Sequence, residues 1–194
     1  MSYIYSIRMA GAGSHGLIDS ARILAEAAAI YEDLYAAESC SFGPEARGNT
    51  CRADIIISDE VIEYPRAGNI DLLLTFTQES CDLYLQELKP GGILVADDRI
   101  DVGGSGRDIV VSRFSLESLG MPLRKVRHLN IIALGLISGS FDVVGERSIR
   151  KAIVARSPKT LEKACIAAFE TGLDLLLRPS DESDGSQPED RGEE

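Results

Sequence analysis

The chain has 194 residues, 44% of them apolar, no Trp, and a formal net charge of −11. That length suits one domain with a full-sized core, and the charge argues against a nucleic-acid partner, because neutralising phosphates takes a basic surface. No apolar run reaches the ~20 residues that cross a bilayer, and the start M-S-Y-I-Y-S-I-R-M lacks the basic-then-apolar order of a secretory signal, so the expectation is a cytoplasmic protein with no membrane contact.

Tyr3 to Ala10 reads as a strand, with Tyr3, Tyr5, Ile7 and Met9 on one face and Ser6 and Arg8 on the other. It runs into G-A-G-S-H-G, Gly11 to Gly16, and then a segment with Leu17, Ala21, Leu24, Ala28 and Tyr31 at helical spacing. Strand, glycine loop and helix is the context a G-x-G-x-x-G match requires. There the loop amides and the helix N-terminus favour an anion. Alternatively, the glycines serve only to let helix pack on strand. A nicotinamide site would also want an acid about twenty residues on, ending a second strand. Glu38 is near that distance, but D-L-Y-A-A-E does not read as a strand.

The next stretch, Cys40 to Glu60, begins C-S-F-G-P-E-A-R-G-N-T-C. Gly43 and Gly48 permit unusual backbone angles, while Pro44 fixes its own φ and donates no hydrogen bond, so a shaped loop is expected. Glu45 and Arg47 sit inside it, and a guanidinium suits carboxylate or phosphate. Ile55-Ile56-Ile57 then reads as a buried strand ending at Ser58-Asp59.

Further along, Asp71–Phe76 reads as a strand, Gln78–Leu88 as a helix ended by K-P-G-G, and Ile93–Asp98 as another strand. Ile109–Phe114 is a later strand and Ser115–Leu119 a helical turn. The Asn130–Gly139 segment is a helix apolar all round, which must be covered on every side by the core or by a partner. Glu146–Ala155 reads as a helix, and Ser157-Pro158 opens another with Leu161, Ala164, Ala168 and Leu175 on its apolar face. Repetition of strand and helix predicts a three-layer α/β/α, Rossmann-like fold with a mostly parallel sheet. Its ligand edge would gather Gly11–Gly16, Ser58-Asp59, Phe76-Thr77 and Ala96-Asp97-Asp98. Asp97-Asp98, pointing opposite ways, reads as a solvated strand end and not a dyad. Residues 1–177 form the expected domain; 178–194, with seven acidic and two basic residues, reads as a disordered tail.

Cys40, Cys51, Cys81 and Cys165 are too spread for metal or iron–sulfur spacing and read as small buried hydrophobes. The two histidines, His15 and His128, have no nearby motif ligand, and His15 reads as a solvated or capping residue. No Ser/His/Asp or Cys/His set is legible, so no catalytic residue is assigned.

F-G-P-E-A-R-G-N followed by R-A-D-I-I-I-S-D-E resembles the signature of the gamma subunit of 2-oxoacid:ferredoxin oxidoreductases. Asn49 stands where that family usually has a second glycine. Gly11–Gly16 is similar to its G-x-G-G-Q-G loop, with Ser14 and His15 in place of the inner Gly-Gln. The resemblance spans residues 3–177 and implies a subunit of an enzyme that converts a 2-oxoacid and coenzyme A to an acyl-CoA, leaning toward 2-oxoglutarate or branched-chain oxoacids. It implies that thiamine diphosphate, Mg and iron–sulfur clusters lie in alpha, beta and delta partners. It also makes Gly11, Gly13, Ser14, His15, Gly16, Gly43, Pro44, Glu45, Arg47, Gly48 and Asn49 the candidate contacts for coenzyme A or a partner. The rival expectations are a free-standing nucleotide-binding enzyme and a purely structural scaffold. The isolated chain could also self-associate as a homodimer through partner-facing surfaces.

Overall fold

The computed structural model describes residues 3–42, 50–64, 68–103, 108–119 and 128–177. One six-stranded sheet runs β2-β3-β1-β4-β5-β6, built from β1 (Ile4–Ala12), β2 (Tyr35–Phe42), β3 (Thr50–Ser58), β4 (Ile70–Thr75), β5 (Leu88–Asp97) and β6 (Val110–Phe114). The helices are α1 (Leu17–Tyr31), α2 (Gln78–Tyr84), α3 (Leu129–Ser140), α4 (Glu146–Arg156) and α5 (Glu162–Leu177). The expected α/β layering is present, and β1, β4, β5 and β6 are mutually parallel.

The exception is β3, which runs antiparallel to both β1 and β2. Ser58-Asp59 therefore does not reach the ligand edge as expected. Ser58 pairs with Ile4, and Asp59 Oδ1 accepts from Tyr3 N at 2.9 Å, at the far end of the sheet. The start of β3 takes its place, with Thr50 beside Ala12 and Cys51 beside both Gly11 and Phe42. Apolar pattern reveals a strand but not its direction, which is why the sequence misled here.

Most of D-L-Y-A-A-E, which does not read as a strand, together with Cys40–Phe42, expected to begin a loop, lies in β2. Hydrogen bonding to the strongly apolar β3 overrides its weak pattern. Asp33 at φ 57° turns the chain from α1 into this strand, and Leu34 N donates to Ala28 O. Lys89-Pro90-Gly91-Gly92 opens β5 instead of ending a helix. The helix before it stops at Tyr84 and tightens into a 3-10 turn, Leu85–Glu87. Ser157-Pro158 precedes α5 by a turn in which Leu161 N bonds Pro158 O. Leu161 and Ala164 are exposed, and the apolar face is Cys165, Ala168, Phe169 and Leu175.

The layers are unequal. On one face Ile7, Met9, Ala53, Ile55, Ile57, Leu72, Leu74 and Val95 pack under the large helical layer. There α3 is buried within the chain, as its all-round apolar sequence requires. Gly135 of α3 and Gly172 of α5 meet back to back; a Cβ on Gly135 would lie 2.2 Å from Phe169 O. On the other face Ala10, Leu73, Leu94 and Ala96 pack with Cys81 and Leu88. That layer is the short α2 and its 3-10 turn. Among the described residues no helix covers the β2–β3 half of this face.

Candidate functional site

Chain direction divides between β1 and β4. From β1 it passes through α1 toward β2; from β4 it passes through α2 toward β5. Such a switch point leaves a crevice at the strand C-terminal ends. Here it is bounded by Ala12–Gly16 on one side and Phe76-Thr77 on the other.

The glycine loop is shaped around a histidine. Gly13–His15 form a 3-10 turn, and His15 Nδ1 accepts from Ala12 N at 3.1 Å. A Cβ on Gly11 would stand 2.6 Å from that Nδ1, so the absence of a side chain there makes room for the imidazole. The ring meets Phe76 edge-on at 5.6 Å, and Phe76 meets Phe114 at 5.7 Å. Three rings thus line the ends of β1, β4 and β6. Because Nδ1 accepts, the proton is on Nε2. Burial pushes the His15 pKa down, which favours this neutral form. Among the described residues nothing accepts from Nε2. Of the two expected roles, solvated or capping, the bond from Ala12 N makes His15 a cap of its own turn, and the ring is half-buried instead of solvated.

Gly16 has φ 70° and caps α1. Asn130, far along the chain, lays its Cβ 3.2 Å from where a Gly16 Cβ would sit. Ser20 Oγ donates to Asn130 O at 2.7 Å, locking α1's first turn to the start of α3. Ser14 is exposed. Gly43, Pro44, Glu45, Arg47, Gly48 and Asn49 lie outside the described residues. The strands they join, β2 and β3, end and begin beside Ala12 and Cys51. Glu38 does not reach the edge. It lies mid-strand facing α1, where Arg22 Nε donates to it at 3.4 Å, so the acid expected for a nicotinamide ribose is elsewhere engaged.

Two ionic arrangements escaped the sequence reading. Arg8, 1% exposed, donates to Asp54 at 2.6 and 3.0 Å, lies 2.7 Å from Glu87 and stacks 4.8 Å from the centre of the Tyr84 ring. Burial opposes its charge, but the bonds to Asp54 and Glu87 outweigh it and hold the pKa above the ordinary arginine value. Asp97, expected to be solvated, is buried. It accepts from Arg99 Nε at 2.6 Å and Leu116 N at 3.2 Å, closing the loop after β5; Asp98 alone is exposed. Such bonds exist because a buried carboxylate without donors is costly.

Burial also pushes the Cys51 and Cys81 thiols up, away from reactivity. Cys40 is exposed, contrary to its reading as buried. Cys165 Sγ approaches His128 Nδ1 only to 4.0 Å. No group of three or more metal-binding side chains gathers among the described residues. The arrangement can bind and orient a polar ligand or partner.

Residues 6–175 match the family described as pyruvate ferredoxin/flavodoxin oxidoreductase. The chain is 32% identical over 182 residues to the 2-oxoglutarate synthase subunit KorC of Methanothermobacter marburgensis, covering 88% of this chain and 96% of that one. It superposes with TM-score 0.78 and 33% identity on the gamma subunit of a keto/oxoacid ferredoxin oxidoreductase from Geobacter sulfurreducens, covering 90% and 97% of the two chains. It also superposes, at TM-score 0.77 but 21% identity, on 32% of a chain of the 2-oxoglutarate:ferredoxin oxidoreductase of Magnetococcus marinus, a likeness of fold alone that covers 91% of this chain. The same fold thus occurs both as a separate subunit and within a much longer polypeptide. The chain belongs to the pyruvate ferredoxin/flavodoxin oxidoreductase family, as a gamma-type subunit of a 2-oxoacid:ferredoxin oxidoreductase.

Proposed function

We propose that this chain serves a complex oxidising 2-oxoglutarate, and that its switch-point edge contributes assembly surface and contacts to coenzyme A. The full-length likeness to KorC subunits supports the oxoacid assignment. In that reaction 2-oxoglutarate and the coenzyme A thiol give succinyl-CoA, carbon dioxide and a proton, and two electrons pass to ferredoxin. Thiamine diphosphate, Mg and the iron–sulfur clusters belong to alpha, beta and delta partners. Among the described residues no group of three or more metal-binding side chains gathers, and no chemical step is assigned to this chain.

The observation that carries the ligand role is the neutral His15 at the mouth of the crevice, whose Nε2–H meets no acceptor among the described residues. It suits an acceptor oxygen, and the first turn of α1 adds amide donors beside it. The Magnetococcus marinus enzyme bound coenzyme A and succinyl-CoA, which fits such a ligand for a protein of this fold. Arg47, in the adjoining connection, is the second proposed contact. Its place is with a coenzyme phosphate or a partner carboxylate. The complex is to be purified with Arg47→Ala and, separately, His15→Asn. A raised coenzyme A requirement or impaired assembly is expected; unchanged assembly with unchanged coenzyme A dependence would remove the role.

A further inference from the structure

We propose that Arg52 recognises a phosphoryl group of the ligand bound at this edge, an inference that rests on the coenzyme reading for the ligand's identity. Arg52 lies on β3 opposite Ala10 of β1 and Ser41 of β2, close to the ligand edge. Directly paired residues share a face, so Arg52, Ser41 and, beside Asp54, Ser39 stand together on the face that carries α2. That helix does not extend over β2 and β3. The half-buried Tyr84 stands beside Arg52, its ring centre 5.7 Å from the guanidinium, while Ser39 and Ser41 on the same face are exposed.

Arg52 is held in place by an ion pair and a ring contact, with no hydrogen-bonded acceptor among the described residues. The nearest carboxylate, Asp54, is 3.8 Å away, beyond hydrogen-bond distance. Both its oxygens already accept from the buried Arg8, at 2.6 and 3.0 Å. Asp54 and Tyr84 therefore hold Arg52 by charge and ring contact without consuming its donors. Among the described residues no acceptor bonds it, and its side chain is 35% exposed. A planar fork of N–H donors matches two oxygens of one phosphoryl group, which a lysine cannot do. The exposed Ser39 and Ser41 hydroxyls supply further donors on the same face. Because Arg8 supplies the hydrogen bonds to Asp54, the donors of Arg52 are uncommitted among the described residues.

The assembled complex tests this. Arg52→Gln should raise the KM for coenzyme A about tenfold, the scale of one lost charge-assisted pair. The loss should fall on that KM, with kcat and the oxoacid KM following the wild type. Arg52→Lys, which keeps the charge but not the fork, should recover part of it. Dephospho-coenzyme A identifies the source: a penalty that vanishes with it assigns the 3′-phosphate, and one that persists assigns the diphosphate. A coenzyme A KM within twofold of wild type overturns the proposal, as does an equal loss for the oxoacid or failed assembly. The His15→Asn complex separates the two readings. A coenzyme A shift there with none in Arg52→Gln removes only the arginine's role, whereas no shift in either removes the coenzyme reading itself.

Discussion

Gly11→Ala tests whether the glycine loop is built around an imidazole. The new Cβ would lie 2.6 Å from His15 Nδ1, about an ångström inside an ordinary contact. The ring can move and the backbone of β1 cannot, since Gly11 is paired with Cys51 in the centre of the sheet. Swinging the ring out breaks the bond from Ala12 N, at about 1 kcal/mol. It also loses the edge contact with Phe76, at about 0.5–1.5 kcal/mol. Replacing glycine returns about 0.4–1 kcal/mol through the unfolded chain. The balance is a loss of about 0.5–2 kcal/mol, or roughly 1–8 °C in Tm for a chain of this size. Imidazole NMR over pH gives a more specific readout, because only His15 and His128 contribute. The His15 signal, identified by its loss in His15→Asn, should titrate below the usual ~6.5 in the wild type and move up toward it in Gly11→Ala. An unchanged His15 titration alongside lowered stability would refute the reasoning and return Gly11 to a purely backbone role.

Other perturbations reach different parts of the molecule. Gly135→Ala puts a methyl 2.2 Å from Phe169 O, so α3 and α5 must separate; urea unfolding should show a loss of at least about 2 kcal/mol despite better helix propensity. Arg8→Leu removes both hydrogen bonds to the buried Asp54 and leaves it only the Arg52 guanidinium at 3.8 Å, so it should cost up to about 3–5 kcal/mol, whereas Arg8→Leu with Asp54→Leu should recover much of it, read by the same unfolding curves. The lowered His15 pKa sets a pH dependence: the folded form binds the proton less well than the unfolded chain, so this contribution is complete above ~6.5 and is lost as pH falls toward the folded pKa. His15→Asn should flatten that part of a stability–pH profile.

Particular residues show what pattern can and cannot reveal. Alternation along β1, helical spacing in α1 and the continuous apolar runs of β4 and β5 each reflect a local environment, and each is legible. The Ala/Ser/Glu composition of β2 is not, because an edge strand gains its order from its neighbour's hydrogen bonds. Nor is the direction of β3, which moved Ser58-Asp59 to the opposite end. The candidate edge was legible at Gly11–Gly16, yet the reason for Gly11 was not, since the ring it admits is placed by folding. Asn130 and Arg8 were missed for a related cause. Their partners, Gly16 and Asp54, are distant in sequence, and no local signal ties an isolated polar residue to one.

The place of β1 in the sheet constrains how the chain is made. Made before every other strand of the sheet, it lies between β3 and β4, both of which follow it in the chain. Its apolar side chains, together with those of α1, must therefore wait beside the ribosome without their strand partners. Loop closure over such separations is slow. Demand for chaperones during translation should accordingly fall once β4 has emerged.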